Sequence, residues 1–375
     1  MPRTLVVTND FPTRQGGIES FVYSLANRFP PDEVVVYTAT MPGDAQLDAR
    51  LPYQVVRDPA SMLLPTRAVR SRVTRLFRAA GCDSVVFGAA APLGLLAGPL
   101  RDAGAQRIVG LTHGHETGWA RVPGARQVLH RIGEGCDVLT YVSEFCRTRI
   151  SPALSPAAAA RMVRLAPGVD GASFRPGKRG AALRRRMGLR DDQPVLLSVS
   201  RFVPRKGQDT LIRAMPGVLD AVPDAVLVLV GDGPYRKRLE QLTDRCGVRA
   251  SVVFAGAVPW TDAPSWFDAG DVFAMPCRTR RGGLEPEALG IVFLEAQASG
   301  SPVLVGDSGG AAETVLHGET GYVVDPYNPT AVALRAAEML GDLDKAREMG
   351  RRGREWVARE WSWEQSMATL RELIT

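Results

Sequence analysis

The chain reads as two Rossmann-like α/β domains, each built on a doubly wound parallel sheet. Three observations predict this. Short runs that are apolar at nearly every residue alternate with longer amphipathic stretches, the alternation runs its course twice, and loops rich in glycine and charge follow the runs. A run without a polar face fits a strand covered on both sides, as parallel sheets are. Leu5-Val6-Val7-Thr8, Val34-Val35-Val36-Tyr37, Val85-Val86-Phe87, Ile108-Val109-Gly110-Leu111 and Val138-Leu139-Thr140-Tyr141-Val142 form the first strand series. Between them, Glu19 to Arg28 and Ala68 to Ala79 read as helices. The stretch Leu165-Ala166-Pro167-Gly168-Val169-Asp170 then breaks the pattern, because proline and glycine punctuate local structure. An arginine-rich segment up to Leu189 reads as a surface helix leading into the second series. That series is Val195-Leu196-Leu197-Ser198-Val199, Val226-Leu227-Val228-Leu229-Val230, Val252-Val253-Phe254, Val272-Phe273-Ala274-Met275 and Val303-Leu304-Val305. The predicted domains are residues 1–167 and 168–359. A last helix over about 360–375, carrying Trp361, Trp363, Met367 and Leu370, is expected to pack back on the first.

With 375 residues the chain has ample core for two domains. No apolar run approaches the roughly 18 residues that cross a bilayer. The start, Met-Pro-Arg-Thr-Leu-Val-Val-Thr-Asn-Asp, turns polar too soon for a secretory signal. Cys82, Cys136, Cys146, Cys246 and Cys277 are odd in number and without a Cys-x-x-Cys, which argues against a disulfide framework or zinc knuckle. A cytoplasmic address is the resulting expectation. The net charge of +6 suits anionic partners, but no recognition motif or aromatic platform accompanies it, so nucleic acid is set aside.

The loops carry the chemistry. Gly16-Gly17-Ile18 follows the first strand and precedes a helix, so its N–H groups suit an anion, or else it is a plain tight turn. It is not a G-x-G-x-x-G, which disfavours a nicotinamide cofactor. Asp10 is a turn former or a contact to an acceptor hydroxyl. His113-Gly114-His115-Glu116 lies past a strand end; its i, i+2 spacing lacks helical metal-pair geometry, leaving substrate recognition or a backbone-bonded histidine. Arg201 and Lys206 follow the strand Val195 to Val199 and suit a diphosphate, each charge pair contributing up to about 4 kcal/mol at 4 Å before desolvation. Such cations would stabilise a departing nucleoside diphosphate more than the ground state. Glu287 sits in a loop with Gly282-Gly283-Leu284-Glu285-Pro286, and Glu295 eight residues later on a helix. They can grip hydroxyls along an extended ligand, or be surface and capping glutamates; a glycosidase acid/base pair fits their position near the helix start less well. Ser308-Gly309-Gly310-Ala311-Ala312-Glu313 is a further glycine turn before a helix that could line the same site, with a structural role the favoured reading. Arg67, Arg70, Arg72, Arg75 and Arg78 flank Val69, Val73, Leu76 and Phe77 in a basic amphipathic helix over about 67–79, with Met62-Leu63-Leu64-Pro65 exposed before it. It either lies on an anionic membrane or packs on the core with a solvated arginine face.

Taken together, these motifs resemble the retaining, GT-B-fold glycosyltransferases. Within them the chain is similar to the actinobacterial phosphatidylinositol mannosyltransferases, the GDP-mannose-dependent α-(1→6) enzymes acting on phosphatidylinositol monomannoside. The likeness runs through Val7-Thr8-Asn9-Asp10-Phe11-Pro12, Gly16-Gly17-Ile18, Phe87-Gly88-Ala89-Ala90-Ala91-Pro92 and Thr112-His113-Gly114-His115-Glu116. It continues in Val203-Pro204-Arg205-Lys206-Gly207-Gln208-Asp209, Phe273-Ala274-Met275-Pro276 and Gly290-Ile291-Val292-Phe293-Leu294-Glu295. The resemblance implies a deep cleft between an N-terminal acceptor domain and a C-terminal donor domain. It implies that Arg201 and Lys206 hold the donor diphosphate, Glu295 the ribose and Glu287 the mannose hydroxyls. His113 would lie beside the transferred sugar, Gly16 and Gly17 where donor phosphate meets acceptor, and Val258 near the base. Asp10, Gly17 and His115 would be on the acceptor side. It further implies retention of configuration, no cofactor and no metal, an anionic glycolipid acceptor, and peripheral association with the inner face of the plasma membrane through the basic helix. One departure is Ala288 after Glu287, where the family pattern has glycine; with Glu285-Pro286 before it, the loop is stiffer. A transferase with another sugar nucleotide or acceptor, a nucleotide-sugar epimerase and a non-catalytic sugar-nucleotide-binding module are the competing readings.

Overall fold

The apolar runs become strands because each is buried on both faces of a parallel sheet. A computed structural model describes residues 3–14, 16–177 and 179–375. Its chain divides into two units, one of residues up to Pro167 together with Glu364–Thr375, the other Gly168–Trp363.

In the first unit the strands are β1 (Thr4–Thr8), β2 (Val34–Ala39), β3 (Gln54–Asp58), β4 (Ser84–Phe87), β5 (Arg107–Leu111), β6 (Val138–Tyr141) and β7 (Val163–Arg164). They pair in the order β3-β2-β1-β4-β5-β6-β7, every pairing parallel. The second unit has β8 (Val195–Val199), β9 (Val226–Val230), β10 (Val252–Gly256), β11 (Val272–Met275), β12 (Val303–Gly306) and β13 (Gly321–Val324). Their order is β10-β9-β8-β11-β12-β13, again parallel throughout. Strand order reverses between β1 and β4 in one sheet and between β8 and β11 in the other. Right-handed crossovers then put the helices of the two halves on opposite faces, and the loops part at the carboxyl end of the sheet.

Three strands lay outside the apolar runs: β3, β7 and β13. All three end a sheet. An edge strand can be covered less completely, and Gln54–Asp58 is half-exposed and mixed in composition. Val163–Arg164 is only two residues long, and Gly321–Val324, though mostly buried, is short and opens on a glycine whose Cβ would overlap the Val303 carbonyl.

In the second unit, helices Gln208–Ala221, Arg236–Arg245 and Pro329–Gly341 share one face of the sheet. Leu211, Met215, Val332 and Ala336 pack there against Leu196, Leu227 and Leu229. Helix Ile291–Ala298 lies with Leu343–Glu360 on the other face. The arginine-rich segment is a helix, Arg179–Arg186, but Arg184 corrects the expectation of a surface element. It is buried, donating to the carbonyls of Ala269, Asp191 and Gln193 and pairing with Asp271 at 2.7 Å. Asp271 also accepts from the Val195 N–H, so this arginine ties the helix to the start of β8. The last helix is Trp363–Ile374, and Ser366 donates to the Ala166 carbonyl.

Candidate functional site

In each unit the loops at the switch point gather the chemistry-bearing residues. In the second unit, β8 leads through Arg201 into a short 3-10 turn, Pro204–Lys206, and then helix Gln208–Ala221. Gly207 joins turn to helix at φ 77°, and a Cβ there would overlap the Pro276 carbonyl oxygen. The exits of β8 and β11 are therefore pressed together, which only glycine at this position permits. Across that contact, Glu287 Oε2 accepts from Lys206 Nζ at 2.7 Å and from Arg205 Nη1 at 2.9 Å. Glu287 is 8% exposed. Burial pushes its carboxyl upward, but the charges of Lys206 and Arg205 outweigh this and hold it below the usual carboxylate range. Its main chain is clasped as well: its N–H meets Ser308 Oγ at 3.3 Å and its carbonyl accepts from the Gly310 N–H. A Cβ on Gly309 would overlap that same carbonyl, which accounts for the glycine turn.

Lys206 and Glu287, inferred separately as a diphosphate cation and a sugar contact, are thus one ion pair in this arrangement. Arg205 is the residue the sequence reading passed over; its one signal was its place beside Lys206. Arg201 is exposed and its side chain makes no bond among the described residues.

Glu295 lies on helix Ile291–Ala298, which starts after Gly290 at φ 84°. It is 3% exposed, Oε2 has no partner among the described residues, and burial pushes its carboxyl well above the ordinary value. An unpartnered buried carboxyl is costly unless something hydrogen-bonds it, so it is a ready site for ligand hydroxyls. Val258 follows β10, half-buried.

In the first unit, the loops after β1, β4 and β5 meet. His113 is buried, and its Nε2 donates to the Gly88 carbonyl at 2.5 Å. Burial pushes the imidazole below its ordinary value. Burial thus favours the neutral ring, and because a carbonyl only accepts, Nε2 carries the proton and Nδ1 is left as acceptor. Glu116 orients the loop by accepting from the N–H groups of His113 and Gly114, and His115 Nε2 lies 3.2 Å from its other oxygen. Asp10 is pushed up by burial and then by Glu19, and its N–H bonds Thr8 Oγ1. Gly16 precedes helix Gly17–Ala26. The Glu19 carboxylate folds back over Gly16, where a Cβ would overlap its Oε2, and Arg14 lies 3.6 Å from it. An acidic side chain covers the helix start.

The basic helix is Arg67–Ala79, capped by Thr66, with Val69, Val73 and Phe77 buried. Arg72 leaves the solvent face: it donates to both oxygens of Asp58, at 2.6 and 3.0 Å. Arg67, Arg70, Arg75 and Arg78 remain exposed. Leu63 is buried rather than exposed, with its N–H and carbonyl both bonded by the Asn9 side chain, whereas Met62 and Leu64 are 54% and 47% exposed. Among the described residues no helix is long and apolar enough to cross a membrane, and no cluster of three or more His, Cys, Asp or Glu could hold a metal ion.

A family model described as glycosyl transferases group 1 matches residues 181–356, and one described as glycosyltransferase family 4 matches residues 15–172. The GDP-mannose-dependent alpha-(1-6)-phosphatidylinositol monomannoside mannosyltransferase of Mycobacterium tuberculosis is 47% identical, over 100% of this chain and 98% of its own length. The GDP-mannose-dependent monoacylated alpha-(1-6)-phosphatidylinositol monomannoside mannosyltransferase of Corynebacterium glutamicum is 44% identical, over 96% and 95%. Among solved structures, Anabaena Alr3699/HepE in complex with UDP superposes with a TM-score of 0.83 at 20% identity, covering 99% of this chain and 98% of that one. Sucrose-phosphate synthase from Thermosynechococcus elongatus follows at 0.79 and 23%, covering 99% and 98%. With two parallel-sheet domains and full-length likeness of this degree, the chain belongs to the group 1 glycosyltransferases and has the GT-B fold.

Proposed function

We propose that the chain is a retaining mannosyltransferase that moves mannose from GDP-mannose to phosphatidylinositol monomannoside, forming an α-(1→6) linkage. What carries this reading is the buried Glu287 carboxylate held by Lys206 and Arg205, in a chain alike from end to end to enzymes of that name. The second unit would take the donor and the first the acceptor. On donor binding, Lys206 and the free Arg201 turn to the diphosphate, and Glu287 passes from the cations to the mannose hydroxyls. Glu295 meets the ribose, and Val258 lies by the base. As the bond from C1 to the diphosphate oxygen breaks, negative charge grows on GDP, and fixed cations stabilise that charge more than the ground state. The acceptor hydroxyl forms its bond to C1 on the same face, and its proton passes to the departing phosphate. Neutral His113 offers Nδ1 beside the sugar without adding charge, while Gly16, Gly17, Asp10 and His115 serve the acceptor side. The cations already supply the charge that a divalent ion would, so the reading needs no metal.

The acceptor is an anionic lipid, and helix Arg67–Ala79 suits its surroundings. Arg67, Arg70, Arg75 and Arg78, with Met62 and Leu64 beside them, support peripheral attachment to the inner leaflet.

The deciding experiment offers GDP-mannose, UDP-glucose and other donors, with phosphatidylinositol, its monomannoside or no acceptor, and weighs the products by mass spectrometry. One hexose added to the monomannoside from GDP-mannose is expected. A free epimerised sugar released without acceptor, or transfer only from another donor, would overturn the assignment.

A further inference from the structure

The second unit carries a cavity of about 540 Å³ that the donor reading leaves unused. Arg238, Arg278, Arg280 and Arg281 line it together with Tyr235 and Tyr327, and no carboxylate is among its lining residues. It shares the carboxyl edge of the sheet with Glu287, but none of Glu287, Lys206, Arg201 and Glu295 is among its lining residues. Tyr235 and Arg238 open helix Arg236–Arg245, on the face of Gln208–Ala221, whereas Glu295 stands on a helix of the opposite face. The turn Pro204–Lys206 and the loop from Arg278 to Glu287 form the wall between the two. Pro204 lines the cavity, and the next two residues hold Glu287.

The wall is held by its own contacts. Arg278 is fixed by the Pro204 carbonyl at 2.9 Å, by Thr210 at 3.3 Å and by Asp209, and its guanidinium lies 5.9 Å from the Tyr327 ring centre. Tyr327 is tied in turn, donating to the Thr279 carbonyl at 2.6 Å. Arg281 takes a left-handed φ of 53°, uncommon for a side chain of its size. Arg280 and Arg281 share one carboxylate, Glu285, at 3.7 and 3.0 Å. Arg238 has no ion pair among the described residues and lies 5.7 Å from the Tyr235 ring centre. Four guanidiniums against Asp209 and Glu285 leave two positive charges over, and every one of the four is the planar fork suited to phosphate oxygens.

We propose that this cavity is a second anion site, separate from the donor site, that takes a phosphate ester. A cavity this size holds one headgroup or one small phosphorylated molecule, and both present the same oxygens to the arginines.

The test titrates inorganic phosphate into the full chain by calorimetry. It compares the wild type with R238Q/R281Q, with K206A, and with R185Q/R186Q, which removes the same charge from the exposed residues of another helix. Because Arg238 and Arg281 are exposed, R238Q/R281Q is expected to melt with the wild type, and the single change R238Q is a milder check. Roughly a tenfold loss is expected for each charged bond removed, so phosphate should bind about a hundredfold more weakly to R238Q/R281Q. K206A and R185Q/R186Q should keep the site. Phosphate binding that survives in R238Q/R281Q, or that vanishes only in K206A, overturns the proposal. Sedimentation with phosphatidylcholine vesicles, with and without phosphatidylinositol, identifies the source. Retention that falls in R238Q/R281Q but not in R185Q/R186Q assigns a lipid headgroup, and equal retention alongside lost phosphate binding assigns a soluble phosphate.

Discussion

Glu287→Gln keeps the shape of the side chain and removes one negative charge from the pair it forms with Lys206 and Arg205. The Lys206 side chain is only 13% exposed, so the change strands a nearly buried ammonium. Breaking a buried pair from one side costs about 3–5 kcal/mol. Arg205 lies nearer solvent, which favours the lower end. A loss of roughly 3 kcal/mol lowers the melting temperature of a domain this size by about 6–12 °C. The freed cations then meet the GDP diphosphate without first surrendering a carboxylate. GDP should bind at least as tightly as to the wild type, by up to about tenfold, and should recover more of the lost melting temperature than it adds to the wild type. Transfer moves the other way, because a charged hydrogen bond to a sugar hydroxyl is worth about 1.5–3 kcal/mol, or roughly tenfold to 150-fold in turnover. Calorimetry with GDP, thermal melting and mannosyl transfer read the three effects. Weaker GDP binding with an unchanged melting temperature would refute the reasoning, since it would mean that Glu287 does not restrain those cations.

The two acidic residues also predict opposite pH responses. The folded Glu287 carboxyl sits below its ordinary value, so its stabilisation is present above the ordinary carboxylate range and is lost as pH falls through the folded value. Glu295 is held well above, so the wild type loses stability as pH rises from the ordinary carboxylate value towards the folded one. Glu295→Gln should flatten that loss in denaturant titrations across the range while GDP affinity drops by up to about tenfold for want of the carboxyl's hydrogen bond to the ribose; a wild-type pH slope retained in the variant would contradict the burial argument. Arg184→Ala should cost about 3 kcal/mol in urea unfolding, because it strands Asp271 and three carbonyls; a change within error would show that the helix is not anchored there. Arg70→Gln with Arg75→Gln should weaken binding to anionic vesicles by about 2 kcal/mol, roughly thirtyfold, at about 1 kcal/mol for each arginine, with stability unchanged. Persistence of vesicle binding would remove the helix from the membrane surface.

Much of this molecule is legible in its sequence because burial on both faces leaves a signature that local reading can detect. Runs such as Val226–Val230 admit no polar face, and their repetition announces two parallel sheets. Edge strands escaped for separate reasons: partial exposure mixes polar residues into Gln54–Asp58, while Gly321–Val324 is mostly buried but short and opens on a glycine, so both look like loop until a neighbour pairs with them. The identities of Lys206, Glu287 and Glu295 were equally visible, for cations after a strand and acids near a helix start suggest ligand chemistry by type alone.

Their relations were not visible. Eighty-one residues separate Lys206 from Glu287, and their loops come together through the close approach of Gly207 to Pro276 and the bonds of Arg278 to the Pro204 and Arg205 carbonyls. Likewise nothing in the local pattern distinguishes Arg72, drawn inward by Asp58, from the exposed arginines of its helix, or Arg184 from Arg185 and Arg186. Composition and periodicity decide which segments are buried, since that depends on neighbours a few residues away. Which charges neutralise one another depends on where the sheet order reverses, and that is fixed only when distant strands pair.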